Sequence, residues 1–458
     1  MRHTLLIIFA LLVGSACLPA QTYTPITNLA TFQQCLNGAL PAYQTSVGGV
    51  TYTTCPLASG TYCIDASQSP GCSGGASPTL NISVSNITVE GSPVSASVLQ
   101  RANQHVSFLM TMNENLTNVV IQDLTFDGNR SVVQSEIGNS VFCQPSFTQN
   151  QWIDLNLSNY ETSIVTVQYV DFINAPSAGA EIDGTYNLSN STASTISYSN
   201  WAAGGPSTAG RATGVFLVGD YTGAYYNTIE YQGTAAINSY QGSGQYIYGN
   251  TAVENRYEMS DGVGGGQIFT GSTSDTAVAA NWIDGKNYVT NGSTINGCPT
   301  VVGQSPTGLE VYGSYQAFYD NQVQNHYGIG IEMYAGSASG YNAPSNITFS
   351  GLNPWNPSDA YRCTSYSGWR GMYFHGTGQE QVAVTLNAVC VTYTGLNGYT
   401  GTYGIELNYV TGTGFTDNAC LHSNDAEQNN SSYNILTGTD VSLTNPLPGN
   451  TTSCYSQQ

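Results

Sequence analysis

The sequence has 458 residues, of which only 8% are charged, and its 28 acidic residues against 8 lysines and arginines give a net charge of −20. A nucleic-acid-binding protein needs lysine and arginine to displace counterions from phosphates, so a chain whose single lysine is Lys286 excludes that class. A hydrophobic content of 40% argues against a disordered chain, and 51 glycines among many Asn, Ser and Thr residues are typical of turn-rich β structure.

The first twenty residues have the pattern of a secretory signal peptide. A basic residue precedes an apolar run at 5–13, and small residues lead to a cleavage site after Ala20. We therefore predict that residues 1–20 are removed and that the protein is secreted, or extracytoplasmic in the periplasm or at the cell surface of a bacterium. Cys17 leaves a lipoprotein signal as an alternative, although Gly14 stands where that signal has Leu. No later apolar run approaches the ~20 residues of a membrane-spanning helix.

The cysteine content supports export. Without Cys17, ten of the eleven cysteines remain, and an even number in an exported chain favours disulfide bonds over a metal cage. Short loops suggest pairs such as Cys63 with Cys72 or Cys363 with Cys390, but the sequence does not determine the connectivity. Because no C-x-x-C motif occurs and the five histidines are scattered, we predict no zinc site.

The N-terminal third contains a predicted helix followed by strands and turns. The segment NLATFQQCLNGALP at 28–41 has the pattern of a short amphipathic helix that caps the first coil, and PLASGTYCID at 56–65 follows as turn and strand. The runs NITVEGSPVSASVLQR at 86–101 and NLTNVVIQDLTFDGNR at 115–130 combine apolar alternation with Gly and Asn turns. These segments predict short strands joined by turns.

A seven-residue phrase then recurs eight times. It opens with a small residue, usually Gly, and alternates apolar with variable positions, at intervals of 20 to 42 residues. The phrases are GAEIDGT at 179, GVFLVGD at 214, TAAINSY at 234, GQIFTGS at 266, GLEVYGS at 308, GIEMYAG at 330, GMYFHGT at 371 and GIELNYV at 404. Further strand-like runs between them, such as YYNTIEYQ at 225–232, give each unit at least two short strands. Such units bury their apolar positions only by stacking coil on coil, which predicts a β-solenoid.

The order of cap helix, G-x-Y strand, N-I-T-V-E-G turn and N-L-T-F-D-G-N-like turn resembles the right-handed parallel β-helix proteins of the pectin lyase-like superfamily, over about residues 28–435. The resemblance implies an all-β fold, a right-handed parallel β-helix with a short N-terminal cap helix. Its substrate groove is expected along an outward strand face. The predicted division of the chain is a signal peptide at 1–20, a cysteine-containing cap at 21–80, the parallel β-helix at 81–436 and a C-terminal tail or cap at 437–458. The superfamily includes lyases, hydrolases, epimerases, esterases and adhesins, so fold does not specify reaction.

The repeated phrase also carries the candidate site. Alternate residues of a strand point to opposite faces, and equivalent positions on successive coils lie ~4.8 Å apart. If the apolar second and fourth residues of the phrase point inward, the third and fifth point outward. The predicted catalytic residues in these outward positions are Glu310, Glu332, Glu406 and His375. The predicted substrate-binding residues are Tyr312, Tyr334, Tyr373 and Asn408.

Paired carboxylates serve as general acid and as base or nucleophile at a glycosidic bond. Glu310 and Glu332 lie in phrases that begin 22 residues apart, which places them on adjacent coils. We assign Glu332 as the general acid and Glu310 as its partner, with Glu406 as the alternative partner if a larger separation is needed. Long insertions are expected to wall the cleft with Trp282, Trp355 and Trp369.

Other interpretations of the sequence stay open. Outward positions of a solvated strand are polar in any case, so the glutamates also fit a plain solvent-exposed face. FHGTG at 374–378 is the nearest match to a polygalacturonase motif, and NWIDGK at 281–286 has Gly285 where a pectate lyase has histidine. The prediction is therefore a monomeric polysaccharide hydrolase without cofactor. The alternatives are a non-enzymatic glycan-binding surface or matrix protein, and a uronate lyase or epimerase assisted by Ca²⁺ at turn aspartates such as Asp127, Asp183 and Asp220.

Overall fold

The computed structural model describes residues 23–65, 79–142, 152–157, 164–183, 194–202, 213–233, 235–253, 255, 266–285, 294–295, 298–299, 307–326, 329–334, 347–350, 365–367, 370–375, 382–387, 390–393, 403–408, 410–416, 420–423, 435–437 and 442–443. Its strands form three long sheets and one two-stranded sheet. The chain passes from sheet 1 to sheet 2 to sheet 3 and back to sheet 1, so each coil gives one strand to each sheet.

Sheet 1 contains β1 (Gln44–Val47), β2 (Val50–Pro56), β5 (Ile87–Glu90), β8 (Val119–Gln122), β11 (Val165–Gln168), β14 (Thr195–Ser197), β17 (Gly223–Tyr225), β20 (Tyr246–Tyr248), β23 (Ala277–Ala279), β28 (Ala317–Tyr319), β31 (Ile347–Ser350), β34 (Val382–Asn387), β37 (Val410–Thr416) and β40 (Ser442–Leu443). Sheet 2 contains β3 (Gly60–Ile64), β6 (Ser97–Arg101), β9 (Leu124–Asp127), β12 (Asp171–Ile173), β15 (Asn200–Ala202), β18 (Thr228–Glu230), β21 (Thr251–Val253), β24 (Trp282–Asp284), β29 (Gln322–His326), β32 (Ser365–Ser367), β35 (Cys390–Tyr393) and β38 (Cys420–Ser423).

Sheet 3 contains β4 (Leu80–Ile82), β7 (Phe108–Met112), β10 (Ile153–Leu157), β13 (Ala178–Asp183), β16 (Val215–Val218), β19 (Ile237–Ser243), β22 (Ile268–Ser274), β27 (Leu309–Ser314), β30 (Ile329–Tyr334), β33 (Arg370–His375), β36 (Tyr403–Asn408) and β39 (Ile435–Thr437). The two-stranded sheet pairs β25 (Thr294–Ile295) with β26 (Cys298–Pro299). Within the three long sheets, β1 pairs antiparallel with β2, and strands of successive coils pair in parallel. Connections between parallel strands of one sheet are right-handed. The chain therefore forms the predicted right-handed parallel β-helix.

The predicted cap helix is present and shorter than its sequence pattern. Helix α1 spans Leu29–Leu36, and the side chain of Asn28 caps it by accepting a hydrogen bond from the Thr31 amide at 2.8 Å. A 3-10 helix follows at Pro41–Tyr43. The disulfide Cys35–Cys55 joins α1 to β2, which is consistent with an extracytoplasmic location.

Other cysteine pairs stay predictions. Cys63 is disulfide-bonded, and its predicted partner Cys72 lies outside the described residues. Cys363 lies outside them too, so the predicted pair with Cys390 is untested. The predicted signal peptide lies outside them as well, and the predicted domain boundaries stay predictions.

Two short helices that the sequence did not reveal lie between β9 and β10. Helix α2 spans Arg130–Ile137 and helix α3 spans Asn139–Phe142. Their buried residues Val133 and Phe142 pack with Trp152 in a cluster separate from the main core. Among the described residues, no helix is long and apolar enough to cross a membrane.

The apolar positions of the repeated phrase fill the interior of the helix. Leu309, Val311, Ile331, Met333, Met372 and Phe374 are all fully buried in one continuous core. Aromatic rings stack through this core from coil to coil, with Phe126 to Phe172 at 5.3 Å and Phe318 to Phe349 at 4.7 Å between centroids. The small first residue of the phrase has a steric cause at Gly214, where an added Cβ would lie 2.6 Å from the carbonyl oxygen of Ala236.

In the six coils from β11–β12 to β28–β29, sheets 1 and 2 are joined by a two-residue turn, and this turn carries a buried polar ladder. In this turn the first residue has a positive φ and the second points into the helix. The ladder residues are Ser199, Asn227, Asn250, Asn281 and Asn321. Each asparagine side-chain oxygen accepts the backbone N–H of the ladder residue one coil earlier, for example Asn227 N to Asn250 Oδ1 at 3.0 Å. The asparagine ladder thereby satisfies buried turn groups that water does not reach.

Candidate functional site

Sheet 3 sets the predicted site residues in one column, one per coil. Strand pairing places Glu310 beside Glu332, Glu332 beside Tyr373, and Tyr373 beside Glu406. Phe269 precedes Glu310 in the same column. We call these five residues the glutamate column. The repeated phrase predicts the register of Glu310, Glu332, Tyr373 and Glu406, whereas Phe269 enters the column because its phrase is shifted by one residue. Neighbouring members are attached to strands ~4.8 Å apart.

The glutamate column is less exposed than a solvated strand face. Glu310 is only 2% exposed and Tyr312 only 4%, so the prediction of a plain solvent-facing surface is wrong for these two residues. Their side chains lie on the opposite side of β27 from the core residues Leu309 and Val311, yet they are covered. Glu332 and Tyr373 are partly exposed. The column therefore changes from closed to partly open between β27 and β30.

Hydrogen bonds hold both described carboxylates. The Tyr312 hydroxyl donates to Glu310 Oε1 at 2.9 Å, and the Thr307 hydroxyl donates to Glu332 Oε2 at 3.1 Å. The ring of Phe269 packs against Tyr312 with centroids 5.5 Å apart. A buried carboxylate needs such donors because burial removes its hydration. Glu310 and Glu332 are thus fixed in position on adjacent strands.

The fifth positions of the phrase also align by backbone pairing. Tyr334 pairs with His375, and His375 pairs with Asn408. The side chains of these three residues, and that of Glu406, lie outside the described part of the structure, so their predicted roles stay predictions.

The predicted tryptophan wall is not supported at its one described position. Trp282 lies on β24 in sheet 2, whereas the glutamate column lies on sheet 3, and its side chain is 39% exposed. Trp355 and Trp369 lie outside the described residues. Trp282 therefore faces a different flank from the column.

Within the described residues, no group of three or more His, Cys, Asp or Glu side chains has the geometry to hold a metal ion. Asp127 accepts hydrogen bonds from Gln100 at 2.8 Å and from the Asn129 amide at 2.9 Å. Asp220 accepts one from the Ser243 amide at 2.8 Å. Hydrogen bonds to neighbouring turn and strand residues thus account for the positions of Asp127 and Asp220. The side chain of Asp183 lies outside the described part of the structure.

Two residues near the carboxylates were missed from the sequence. Phe269 is the fourth residue of its phrase but pairs with Glu310, the third residue of the next phrase, so the phrase at 266 is one residue out of register with the alignment made from the sequence. Thr307 precedes its phrase by one residue, is 1% exposed, and donates across to the next coil. No sequence pattern marks a residue that reaches a carboxylate on another strand.

The structure is similar to several solved structures at low sequence identity. The A-module of the Azotobacter vinelandii mannuronan C-5 epimerase AlgE4 is 12% identical, with 94% of this chain and 98% of that chain covered and a TM-score of 0.45. The periplasmic alginate epimerase AlgG is 11% identical, with 86% and 84% covered and a TM-score of 0.41. Endopolygalacturonase I from Stereum purpureum is 13% identical, with 84% and 95% covered and a TM-score of 0.35.

No family model and no curated protein matches the sequence. At these identities the likeness to solved structures concerns architecture alone. The right-handed parallel β-helix itself follows from this chain's own strand pairing.

Proposed function

We propose that the protein is a secreted hydrolase of an extracellular polysaccharide, which binds along the outer face of sheet 3. The observation that carries this proposal is the strand register, which aligns Glu310, Glu332, Tyr373 and Glu406 on successive coils. Glu332 acts as the general acid because it is partly exposed and is held by Thr307 next to the closed end of the column. Tyr373 contacts the sugar beside it, together with Tyr334, His375 and Asn408.

The partner carboxylate is chosen by spacing and access. Glu310 is one strand from Glu332, and the backbone spacing of ~4.8 Å resembles the 5–5.5 Å carboxylate separation of retaining glycosidases. Glu406 is two strands away, at roughly 10 Å, close to the 6.5–9.5 Å of inverting enzymes. Since Glu310 is 2% exposed, neither water nor a sugar reaches it. This favours Glu406 as the base that activates water, with Glu310 as a buried neighbour of Glu332 on the adjacent strand.

Reducing-sugar release across a panel of neutral and acidic polysaccharides tests the proposal. We expect release from at least one glycan and a loss of about 10²–10⁴-fold in Glu332→Gln, the usual contribution of a general acid. Glu181→Gln is the matched control, because Glu181 lies in register on the same face of sheet 3, five strands away from Glu332. This control is expected to keep its activity.

The same panel separates the alternatives. Formation of unsaturated uronate products that depends on Ca²⁺ would show that the protein is a lyase. Retention on a glycan without any product would show that it is a binding protein. Equal activity in wild type and Glu332→Gln would contradict the assignment of Glu332. The anomer formed first, read by proton NMR, tests the choice of partner: inversion supports Glu406, and retention would contradict that choice and require Glu310 to become accessible to the sugar.

A further inference from the structure

The turn between sheets 1 and 2 carries a row of tyrosines on its outer side. In three successive coils the first turn residue is Tyr169, Tyr198 and Tyr226, with φ of 54°, 50° and 55°. Their side chains are 54%, 48% and 47% exposed. The rings stack, with centroids 5.3 Å apart in both pairs and interplanar angles of 14° and 11°. This tyrosine row presents one phenol per coil along the axis of the β-helix.

The turn itself does not require tyrosine. A left-handed backbone costs a residue with a Cβ roughly 1–2 kcal/mol, and bulky residues seldom adopt it. Other coils form the turn at the same positive φ with Asp123, Gly249, Ala280 and Asp320. Because smaller residues form the same turn, the turn itself does not account for three tyrosines on consecutive coils. Their two stacked pairs contribute about 0.5–1.5 kcal/mol each, against a backbone cost of roughly 1–2 kcal/mol at each of the three positions. Strained residues cluster at ligand-binding sites, which makes this row a candidate for one.

The surroundings of the row are uncharged on the side of sheet 1. Strands β11, β14, β17 and β20 contain no charged residue. Tyr226 makes a T-shaped contact with Tyr248 on β20, with centroids 5.4 Å apart, so phenols continue onto the outer face of sheet 1. On that face the Gln168 amide donates to Gln122 at 2.8 Å. The charges that flank the row in the chain are acidic: Asp123 forms the equivalent turn one coil before Tyr169, and Asp171 begins β12 two residues after it.

We propose that the tyrosine row binds a neutral polysaccharide chain laid along the axis of the β-helix. Both ring faces of Tyr198 are covered by its neighbours, so a partner meets ring edges and hydroxyls. Phenol hydroxyls donate and accept hydrogen bonds, and the positive ring edge attracts oxygen. These groups match a ligand rich in hydroxyls.

The regularity of the row points to a polymer as the ligand. One identical group per coil suits a chain of identical units, and the ring spacing is close to the advance of one sugar along an extended β-linked glycan. The stacked rings are already ordered, which lowers the entropy lost on binding. A net charge of −20 disfavours polyanions on a surface that offers no cation on the strands of sheet 1 beside it. This site is on a different flank from the glutamate column and does not depend on the catalytic proposal.

The test replaces the three rings and keeps the turn. Tyr169→Asn, Tyr198→Asn and Tyr226→Asn are combined in one variant, because Asn adopts the left-handed conformation readily. Tyr231→Asn is the matched control: Tyr231 also has a positive φ, 54°, and is 38% exposed, but it lies in the turn that follows β18. Circular dichroism and the melting temperature verify that both variants fold.

Binding is measured by cosedimentation with microcrystalline cellulose, insoluble mannan and a polygalacturonate gel. We expect the wild type and Tyr231→Asn to bind cellulose or mannan, and the triple variant to bind at least about tenfold more weakly, as three lost hydrogen bonds require. The proposal is overturned if the wild type binds neither neutral glycan, or if the triple variant binds as tightly as the wild type. It is also overturned if sedimentation velocity shows that the row joins two copies of the chain.

Discussion

The asparagine ladder gives the sharpest prediction for stability. Asn250 is 1% exposed, and its side chain accepts from the Asn227 backbone N–H at 3.0 Å and donates to the Ala224 carbonyl at 2.9 Å. In Asn250→Ala these two buried groups lose a partner. An unsatisfied buried group costs ~1–3 kcal/mol, so the free energy of unfolding should fall by about 2–6 kcal/mol. No compensating gain is expected, because alanine leaves a small void in the turn.

Urea denaturation followed by circular dichroism measures this loss through the midpoint and slope of the transition. Asn200→Ala is the control, since Asn200 is an exposed asparagine two coils earlier whose amide donates to Asp171 at 2.9 Å. The free energy of unfolding of Asn200→Ala should fall by no more than about 0.5 kcal/mol, as is usual for surface substitutions. If Asn250→Ala is destabilised no more than Asn200→Ala, the ladder does not hold the coils together and the reasoning is wrong.

Three further predictions concern buried groups. Asp154 is fully buried and forms an ion pair with Arg101 at 2.8 Å. Burial raises the pKa of Asp154 to about 7 despite this partner. Since the folded pKa then exceeds the unfolded one, the free energy of unfolding should fall as pH rises from about 4 to about 7, between the two pKa values, and urea midpoints should lose that slope in Asp154→Asn. Replacing Cys35 and Cys55 by alanine should cost ~2–4 kcal/mol in the same denaturation assay, and an unchanged midpoint would refute the stabilising role of the disulfide. Tyr312→Phe removes the donor to Glu310 and should cost ~1–3 kcal/mol; a neutral effect would show that the bond contributes nothing.

Much of the fold follows from the repeated phrase. In the phrases at 308, 330 and 371 the second and fourth residues, such as Leu309 and Val311, are core residues and the third residues align coil on coil. The phrase at 266 is one residue out of this register, since its fourth residue, Phe269, pairs with Glu310. The cause is physical: a solenoid unit has no core of its own, so each apolar position must stack on its equivalent in the next coil. The sequence therefore predicts register as well as architecture, including the pairing of Glu310 with Glu332.

Exposure could not be predicted in the same way. The alternation of apolar and polar residues shows from which face of a strand a side chain projects. It does not show what covers that face, so the burial of Glu310 and Tyr312 was missed. The third strand of each coil was missed for another reason. A run such as YYNTIEYQ looks like one strand, but Tyr226 takes a left-handed conformation and divides it into β17 and β18. Only the asparagine that follows, Asn227, signals the turn.

Short helices and contacts between coils are even harder to predict from the sequence. Helix α2 has eight residues and no side-chain cap at Asn129, so neither length nor a capping motif marks it. The hydrogen bond from Thr307 to Glu332 joins residues 25 positions apart, and no local pattern encodes it. These features depend on how the coils stack, which the sequence specifies only through the complete fold.

The role of Glu332 as general acid is tested most directly by comparing two substrates in Glu332→Ala. A natural polysaccharide needs a proton on its leaving group, whereas a dinitrophenyl glycoside of the same sugar does not. We predict that Glu332→Ala loses about 10²–10⁴-fold in rate on the polysaccharide and less than about tenfold on the dinitrophenyl glycoside. Equal losses on both substrates, or full activity on the polysaccharide, would contradict the role of the glutamate column in catalysis.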